Sequence, residues 1–88
     1  MFKRIPELKY SEVARGLKKL GFTKRPNKST AHEQWVAQDP FRKVTVDKHV
    51  APFSKTLISS MAKQANLPIR EFCRICKDKK FELAAETD

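Results

Sequence analysis

Residues 31–46, AHEQWVAQDPFRKVTV, are two alternating segments joined by a turn. In the first segment Trp35 shares one face with Glu33, and His32 falls on the opposite face. Residues 38–41, QDPF, are typical of a turn. The pattern therefore predicts a hairpin with Trp35 in the core and His32 on the more open face. Its two strands are residues 31–37 and 42–46.

Helical spacing marks both sides of this hairpin. Apolar residues recur at helical intervals across residues 10–20, and again across 57–65 and 69–76. A short alternating segment, residues 22–25, precedes a loop rich in turn formers. The predicted fold class is α+β, in the double-stranded-RNA-binding-like order α-β-β-β-α. Three antiparallel strands form the sheet, with helices on one face.

The ends of the helices carry their own signals. Gly21 and Asn66 suit left-handed positions after the first and second helices. Ser11 is predicted to cap the first helix, or to lie one turn inside it if the helix starts earlier; Ser54 is predicted to cap the second. The second helix should present an apolar stripe to the core. Its members are Leu57, Ile58, Met61, Ala62 and Ala65.

Length and composition limit the class of protein. The chain has 88 residues, which predicts a single domain over residues 1–80 and an acidic, frayed tail over 81–88. It has no apolar run long enough to cross a bilayer, no secretory signal pattern and no glycine-rich phosphate loop. We therefore expect a soluble, cytoplasmic protein with no membrane partner and no small-molecule cofactor.

The charge is concentrated at one end. The formal net charge is +9, and residues 1–30 hold nine basic and two acidic side chains. A positive field of this kind favours a polyanion, of which nucleic acid is the commonest in cytoplasm. A generally basic, soluble surface is the alternative explanation.

One short segment combines phosphate-binding groups with a histidine. Cations and hydroxyls bind phosphate oxygens, and a histidine can move a proton near neutral pH. Together they suit the cleavage of a phosphodiester, with His32 as the catalytic residue, although a lone histidine on a strand is more often an ordinary surface residue. The candidate RNA-binding residues beside it are Lys24, Arg25, Lys28, Ser29 and Thr30.

The acidic residues argue against metal-dependent cleavage. Glu33, Asp39 and Asp47 are scattered, whereas a magnesium site needs clustered carboxylates. RNA carries its own nucleophile, the 2′-hydroxyl, so a base and cations would suffice. RNA is therefore the favoured substrate, and no metal is expected. His49 is a candidate accessory residue that could protonate the leaving group, or a loop histidine without a role.

The single CxxC pair, Cys73 and Cys76, lacks the second ligand pair of a zinc site. At this spacing on a short helix, both cysteines are expected to pack as small apolar residues.

Four segments in order resemble the HicA (YcfA-like) mRNA interferase toxins, over about residues 13–72. The first segment matches the family's first helix and the Gly-Phe pair that follows it, and the second matches its Ser-His strand. The third matches a strand that is followed by a histidine, and the fourth matches the later helical region. The segments are residues 12–22, 29–35, 42–49 and 55–72. The chain departs from the family pattern at four sites: Thr30 replaces a glycine, Ala31 a serine, Asp47 a proline, and Ser54-Lys55 the usual Lys-Gly pair.

The resemblance implies a metal-independent endoribonuclease that cleaves mRNA, the toxin of a toxin–antitoxin system. It places the catalytic histidine at His32 and gives His49 no settled role. It also implies a HicB-type antitoxin that covers the active site. Two other classes stay open: a non-catalytic double-stranded-RNA-binding module, and a protein-interaction domain that uses the open sheet face or edge.

Overall fold

The computed structural model describes residues 5–26 and 31–78. The order of elements confirms the predicted α+β arrangement, with one added turn of 3-10 helix after the third strand. The predicted tail, residues 81–88, lies outside the described residues. The elements are α1 (Tyr10–Lys19), β1 (Thr23–Lys24), β2 (His32–Ala37), β3 (Arg42–Asp47), the 3-10 turn (Lys48–Val50), α2 (Lys55–Gln64) and α3 (Ile69–Lys77).

The three strands form an antiparallel sheet in the order β1-β2-β3. The register of β2 and β3 runs from Ala37 opposite Arg42 to His32 opposite Asp47. Since side chains alternate along a strand, each pair of opposed residues shares a face of the sheet. His32 and Asp47 therefore lie on the same face.

The opposite face carries the core. Trp35, at 2% exposure, packs with Ala37, Val44 and Val46 against apolar side chains of the three helices. Along β2 buried residues alternate with more exposed ones, as the sequence pattern predicts. Burial of this apolar surface holds the helices on one face of the sheet.

Helices α1 and α3 approach closely at Gly16. A Cβ added at this position would lie 2.5 Å from the Cys76 Sγ. Cys76 and Cys73 are both buried in the core, so they pack as small apolar residues, as predicted. Burial raises the pKa of the Cys76 thiol to about 12, and burial also raises the pKa of Cys73.

The helix ends confirm most of the local predictions. Gly21 and Asn66 have φ angles of 91° and 66°. Helix α1 begins at Tyr10 after Lys9, so Ser11 lies in the first turn and is not the N-cap. The backbone N–H of Lys9 instead donates to the Glu12 carboxylate, at 2.8 Å.

Helix α2 corrects one part of the predicted stripe. Ser54 occupies the N-cap position, but its side chain makes no capping hydrogen bond. Leu57 was expected in the core and is 38% exposed, while Ile58 and Met61 are buried. The buried stripe is centred on Ile58 and Met61, and Leu57 lies at its rim because adjacent residues of a helix face different directions.

Candidate active site

His32 lies at the first position of β2, with its side chain 60% exposed. Its Nε2 is 3.2 Å from the Oδ2 of Asp47, which stands directly opposite at the end of β3. The prediction that this imidazole opens onto solvent is confirmed. Its carboxylate partner was not predicted.

The other carboxylate oxygen of Asp47 accepts a hydrogen bond from the backbone. Its Oδ1 accepts the backbone N–H of His49 at 3.0 Å, which makes Asp47 the N-cap of the 3-10 turn. The carboxylate therefore connects the turn to His32, and its side chain is 28% exposed. One oxygen of this carboxylate thus accepts a hydrogen bond from the turn, and the other lies 3.2 Å from the imidazole Nε2.

A carboxylate oxygen 3.2 Å from Nε2 favours the neutral imidazole that carries its proton on Nε2. When Nε2 carries the proton and donates to Asp47, the lone pair is on Nδ1. A nitrogen with a lone pair can accept a proton from a hydroxyl group, which is the task of a general base. The pair has the chemistry of a histidine that is oriented by a carboxylate on its other nitrogen.

Lys24 and Arg25, two of the predicted cations, lie on opposite faces of the sheet. The backbone N–H of Arg25 donates to the carbonyl of Gln34 at 2.8 Å, which continues the β1–β2 pairing by one residue. Alternation then places the Arg25 side chain on the face of His32. The Lys24 side chain lies on the other face, where its Nζ is 3.7 Å from the Oε2 of Glu33.

Two further groups of predicted residues are not tested by the structure. Lys28, Ser29 and Thr30 lie outside the described residues, so their part in phosphate binding stays a prediction. His49 lies in the exposed 3-10 turn, two residues after Asp47, and its accessory role also stays a prediction.

Lys43 was not predicted as a site residue, but it lies exposed on the face of His32, opposite Val36.

A second cluster lies on the inner face, around the carboxylate of Glu33. Glu33 is 3% exposed and accepts the Tyr10 hydroxyl at 2.8 and 2.9 Å and the Trp35 indole N–H at 3.0 Å. The Nζ of Lys48 lies 3.9 Å from the Glu33 Oε2 and 5.4 Å from the centre of the Tyr10 ring. We call Glu33, Tyr10, Trp35, Lys24 and Lys48 the inner cluster.

The inner cluster changes the acidity of the tyrosine. Burial, and then the hydrogen bond to Glu33, raise the pKa of Tyr10 to about 12. The hydroxyl therefore remains a proton donor to the carboxylate over the neutral range. Because Tyr10 belongs to α1 and Glu33 to β2, the bond ties the first helix to the sheet.

Within residues 5–26 and 31–78, no group of three or more His, Cys, Asp or Glu side chains is placed to hold a metal ion. In the same part of the chain, none of the helices is long and apolar enough to cross a membrane.

Comparison with known proteins finds no family model that matches the sequence and no significant match among curated proteins.

Proposed function

We propose that this protein is a metal-independent endoribonuclease that cleaves mRNA, the toxin of a HicA-type toxin–antitoxin system. One observation carries the proposal: an exposed imidazole, His32, whose Nε2 lies 3.2 Å from the carboxylate of Asp47. An oriented and accessible histidine suits proton transfer to or from a substrate in solution. The family resemblance at residues 29–35 points to the same histidine.

The proposed reaction uses the nucleophile that RNA contains. His32 Nδ1 takes the proton of a 2′-hydroxyl, and the resulting oxygen attacks the adjacent phosphorus. The new P–O2′ bond forms as the P–O5′ bond breaks, and the departing 5′-oxygen takes a proton from His49 or from solvent. The products are a 2′,3′-cyclic phosphate and a 5′-hydroxyl, so no metal-bound water is needed.

Cations on the same face support the assignment of RNA as substrate. Arg25, directly after β1, and Lys43 of β3 share this face with His32. Guanidinium and ammonium groups bind phosphate oxygens and stabilise the negative charge that builds up during attack. The net charge of +9 adds a long-range attraction for a polyanion.

A toxin of this kind needs a neutralising partner. The exposed His32–Asp47 pair is the surface that a HicB-type antitoxin would cover in the proposed system. A partner with a negative surface would match the net charge of +9.

The test is RNA cleavage in EDTA by the purified full chain. We expect the wild type to cleave, and His32→Ala to lose at least about a hundredfold in rate, the lower end of what a general base contributes. Lys63→Ala, a substitution in the last turn of α2, is the matched control and should cleave normally. Equal rates for wild type and His32→Ala, or no cleavage by the wild type, would refute the proposal.

A second candidate is a non-catalytic module that binds double-stranded RNA. It is favoured by the α-β-β-β-α order and by the excess of positive charge near α1. Binding of duplex RNA without cleavage, by both the wild type and His32→Ala, would support this candidate over the nuclease.

A further inference from the structure

A groove of about 660 Å³ lies between α1 and the edge strand β1, on the side of the sheet that carries the core. Neither the His32–Asp47 pair nor the proposed cleavage reaction uses it. We call it the α1–β1 groove. Its lining residues include Arg15 and Lys18 of α1, Thr23 and Lys24 of β1, and the apolar Phe22 and Trp35.

The charges along the groove have one sign. Arg15, Lys18 and Lys24 line it, and no acidic side chain does so among the described residues. The Arg15 guanidinium is positioned by a 2.8 Å hydrogen bond from its Nη2 to the carbonyl of Cys76. Lys18 is exposed at the rim. The groove is therefore complementary to a ligand with negative charge.

The sheet edge beside the groove presents backbone groups outward. Because the N–H of Arg25 bonds to Gln34, Arg25 and Gln34 form a hydrogen-bonded pair of the ladder. Antiparallel pairs alternate, so the next pair, Lys24 and Trp35, is not hydrogen-bonded. The N–H and C=O of Lys24 therefore point away from β2, toward the place of a further strand.

The other edge of the sheet, at β3, is partly covered by a helix. There the backbone N–H of Thr45 donates to the side-chain oxygen of Gln64, at 2.9 Å, so α2 occupies part of the outer side of β3. Strand addition is thus favoured at β1 and not at β3.

We propose that the β1 edge and the α1–β1 groove together bind an extended, acidic segment of a partner protein by strand addition. The segment pairs through its backbone with Lys24. Side chains on one of its faces enter the groove, where carboxylates meet Arg15 and Lys18 and apolar groups lie over Ala14, above the buried Phe22 and Trp35. This is recognition by β-augmentation, in which the backbone supplies affinity and alternate side chains supply specificity.

Two features favour a protein segment over RNA in this groove. Its floor is apolar, formed by Phe22 and Trp35 together with Ala14, and phosphates gain nothing there. Outward-pointing N–H and C=O groups at a strand edge match the spacing of another polypeptide backbone and not that of a nucleotide chain. The inference does not depend on His32 being catalytic, because the groove and the His32–Asp47 pair lie on opposite faces of the sheet.

The test is a titration of the ¹⁵N-labelled full chain with a short capped peptide in which glutamate alternates with valine. We expect the amide signals of Thr23 and Lys24 to shift, and hydrogen exchange at the Lys24 amide to slow. The matched control peptide has the same sequence with N-methyl groups on alternate amides, which removes the backbone donors and keeps the charge. It should bind much more weakly.

Two variants separate the groove from general charge attraction. Lys18→Glu should weaken peptide binding about fivefold, since it turns an attraction at the rim into a repulsion. Lys63→Glu, in the last turn of α2, changes the net charge by the same amount as Lys18→Glu. It should leave the affinity for the peptide nearly unchanged. Equal effects of both variants would overturn the proposal.

Two other outcomes would also overturn it. In one, both peptides bind equally well, which would show that the backbone of β1 takes no part. In the other, a single-stranded RNA oligomer shifts the signals of Lys18 and Thr23 while the peptide does not, which would make the groove a nucleic-acid site. Cleavage activity is not measured in any of these experiments, so failure here is distinct from failure of the proposed nuclease function.

Discussion

Glu33 and Asp47 are two carboxylates with opposite environments on the two faces of one hairpin. Glu33 is 3% exposed and is bonded by Tyr10 and Trp35 at the centre of the inner cluster. Asp47 is 28% exposed and contacts His32, whose side chain is 60% exposed. The first carboxylate joins elements that are distant along the chain, whereas the second lies beside one accessible imidazole.

The difference follows from burial. A buried carboxylate must be satisfied by fixed donors, and these donors lose their partner if it is removed, so it contributes mainly to stability. A carboxylate at the surface contributes little to stability, but it can select the form of a neighbouring histidine. Loss of stability should therefore follow substitutions on the inner face, and loss of activity those on the outer face.

The largest expected effect on stability is that of Glu33→Ala. Loss of this carboxylate leaves the Tyr10 hydroxyl and the Trp35 indole without their acceptor, so the free energy of unfolding should fall by about 3 kcal/mol. Urea denaturation measures the change. His32→Ala should alter it by less than about 0.5 kcal/mol. Equal losses in the two variants would contradict the contrast between the faces.

Asp47→Asn should lower the rate of catalysis and leave the stability nearly unchanged. The amide NH₂ can donate to Nε2, which moves the imidazole proton to Nδ1 and removes the base. We expect kcat for RNA cleavage to fall roughly 10- to 100-fold, with KM little changed. Thr45→Val, on the same face, is the control and should keep normal kcat. A rise in KM at constant kcat would show that Asp47 only contacts the substrate.

Tyr10 allows the inner cluster to be observed directly, because it is the only tyrosine in the chain. Its pKa is raised from 10.0 to about 12, so tyrosinate absorbance of the folded protein should develop near the higher value. The folded state holds this proton more tightly than the unfolded state does. This part of the stability is therefore complete below pH 10 and lost as the pH rises toward 12.

The control for that titration is Tyr10→Phe. This variant should show no tyrosinate absorbance. Its stability should also fall less than that of the wild type as the pH rises from 10 toward 12. Ionisation of Tyr10 near pH 10 while circular dichroism still reports a folded chain would contradict the account of the inner cluster.

The smallest effects are expected from the two lysines of the inner cluster. Lys24 and Lys48 are 47% and 52% exposed, and their Nζ atoms lie 3.7 and 3.9 Å from Glu33. Solvent screens such pairs, so each alanine substitution should cost less than about 1 kcal/mol. Added salt should shrink the cost further when unfolding is measured again. A cost that salt does not change would place these lysines inside the buried network.

The hairpin and the ends of the helices could be predicted from local sequence. Alternation around Trp35 marks β2, and the left-handed positions at Gly21 and Asn66 need residues that tolerate a positive φ. Even the pairing of His32 with Asp47 could have been found by counting. A four-residue turn over residues 38–41 sets Ala37 opposite Arg42, and the same register reaches His32 and Asp47. The alternating pattern alone ends the third strand at Val46, one residue short of this pair.

Other features depend on contacts that the local pattern does not contain. Which of Lys24 and Arg25 shares a face with His32 depends on the register across the loop between β1 and β2, and the composition of that loop does not determine it. Glu33 was placed on the Trp35 face, but its partner Tyr10 is 23 positions away in the sequence. Packing of α1 on the sheet brings these residues together.

The most direct test of the central claim, that His32 takes the 2′-hydroxyl proton, is an analysis of the RNA ends produced in EDTA. The account predicts 2′,3′-cyclic phosphate and 5′-hydroxyl ends from wild-type protein, with no cleavage where the 2′-hydroxyl is methylated and almost none by His32→Ala. Ends that carry a 5′-phosphate, or cleavage at a methylated position, would contradict it.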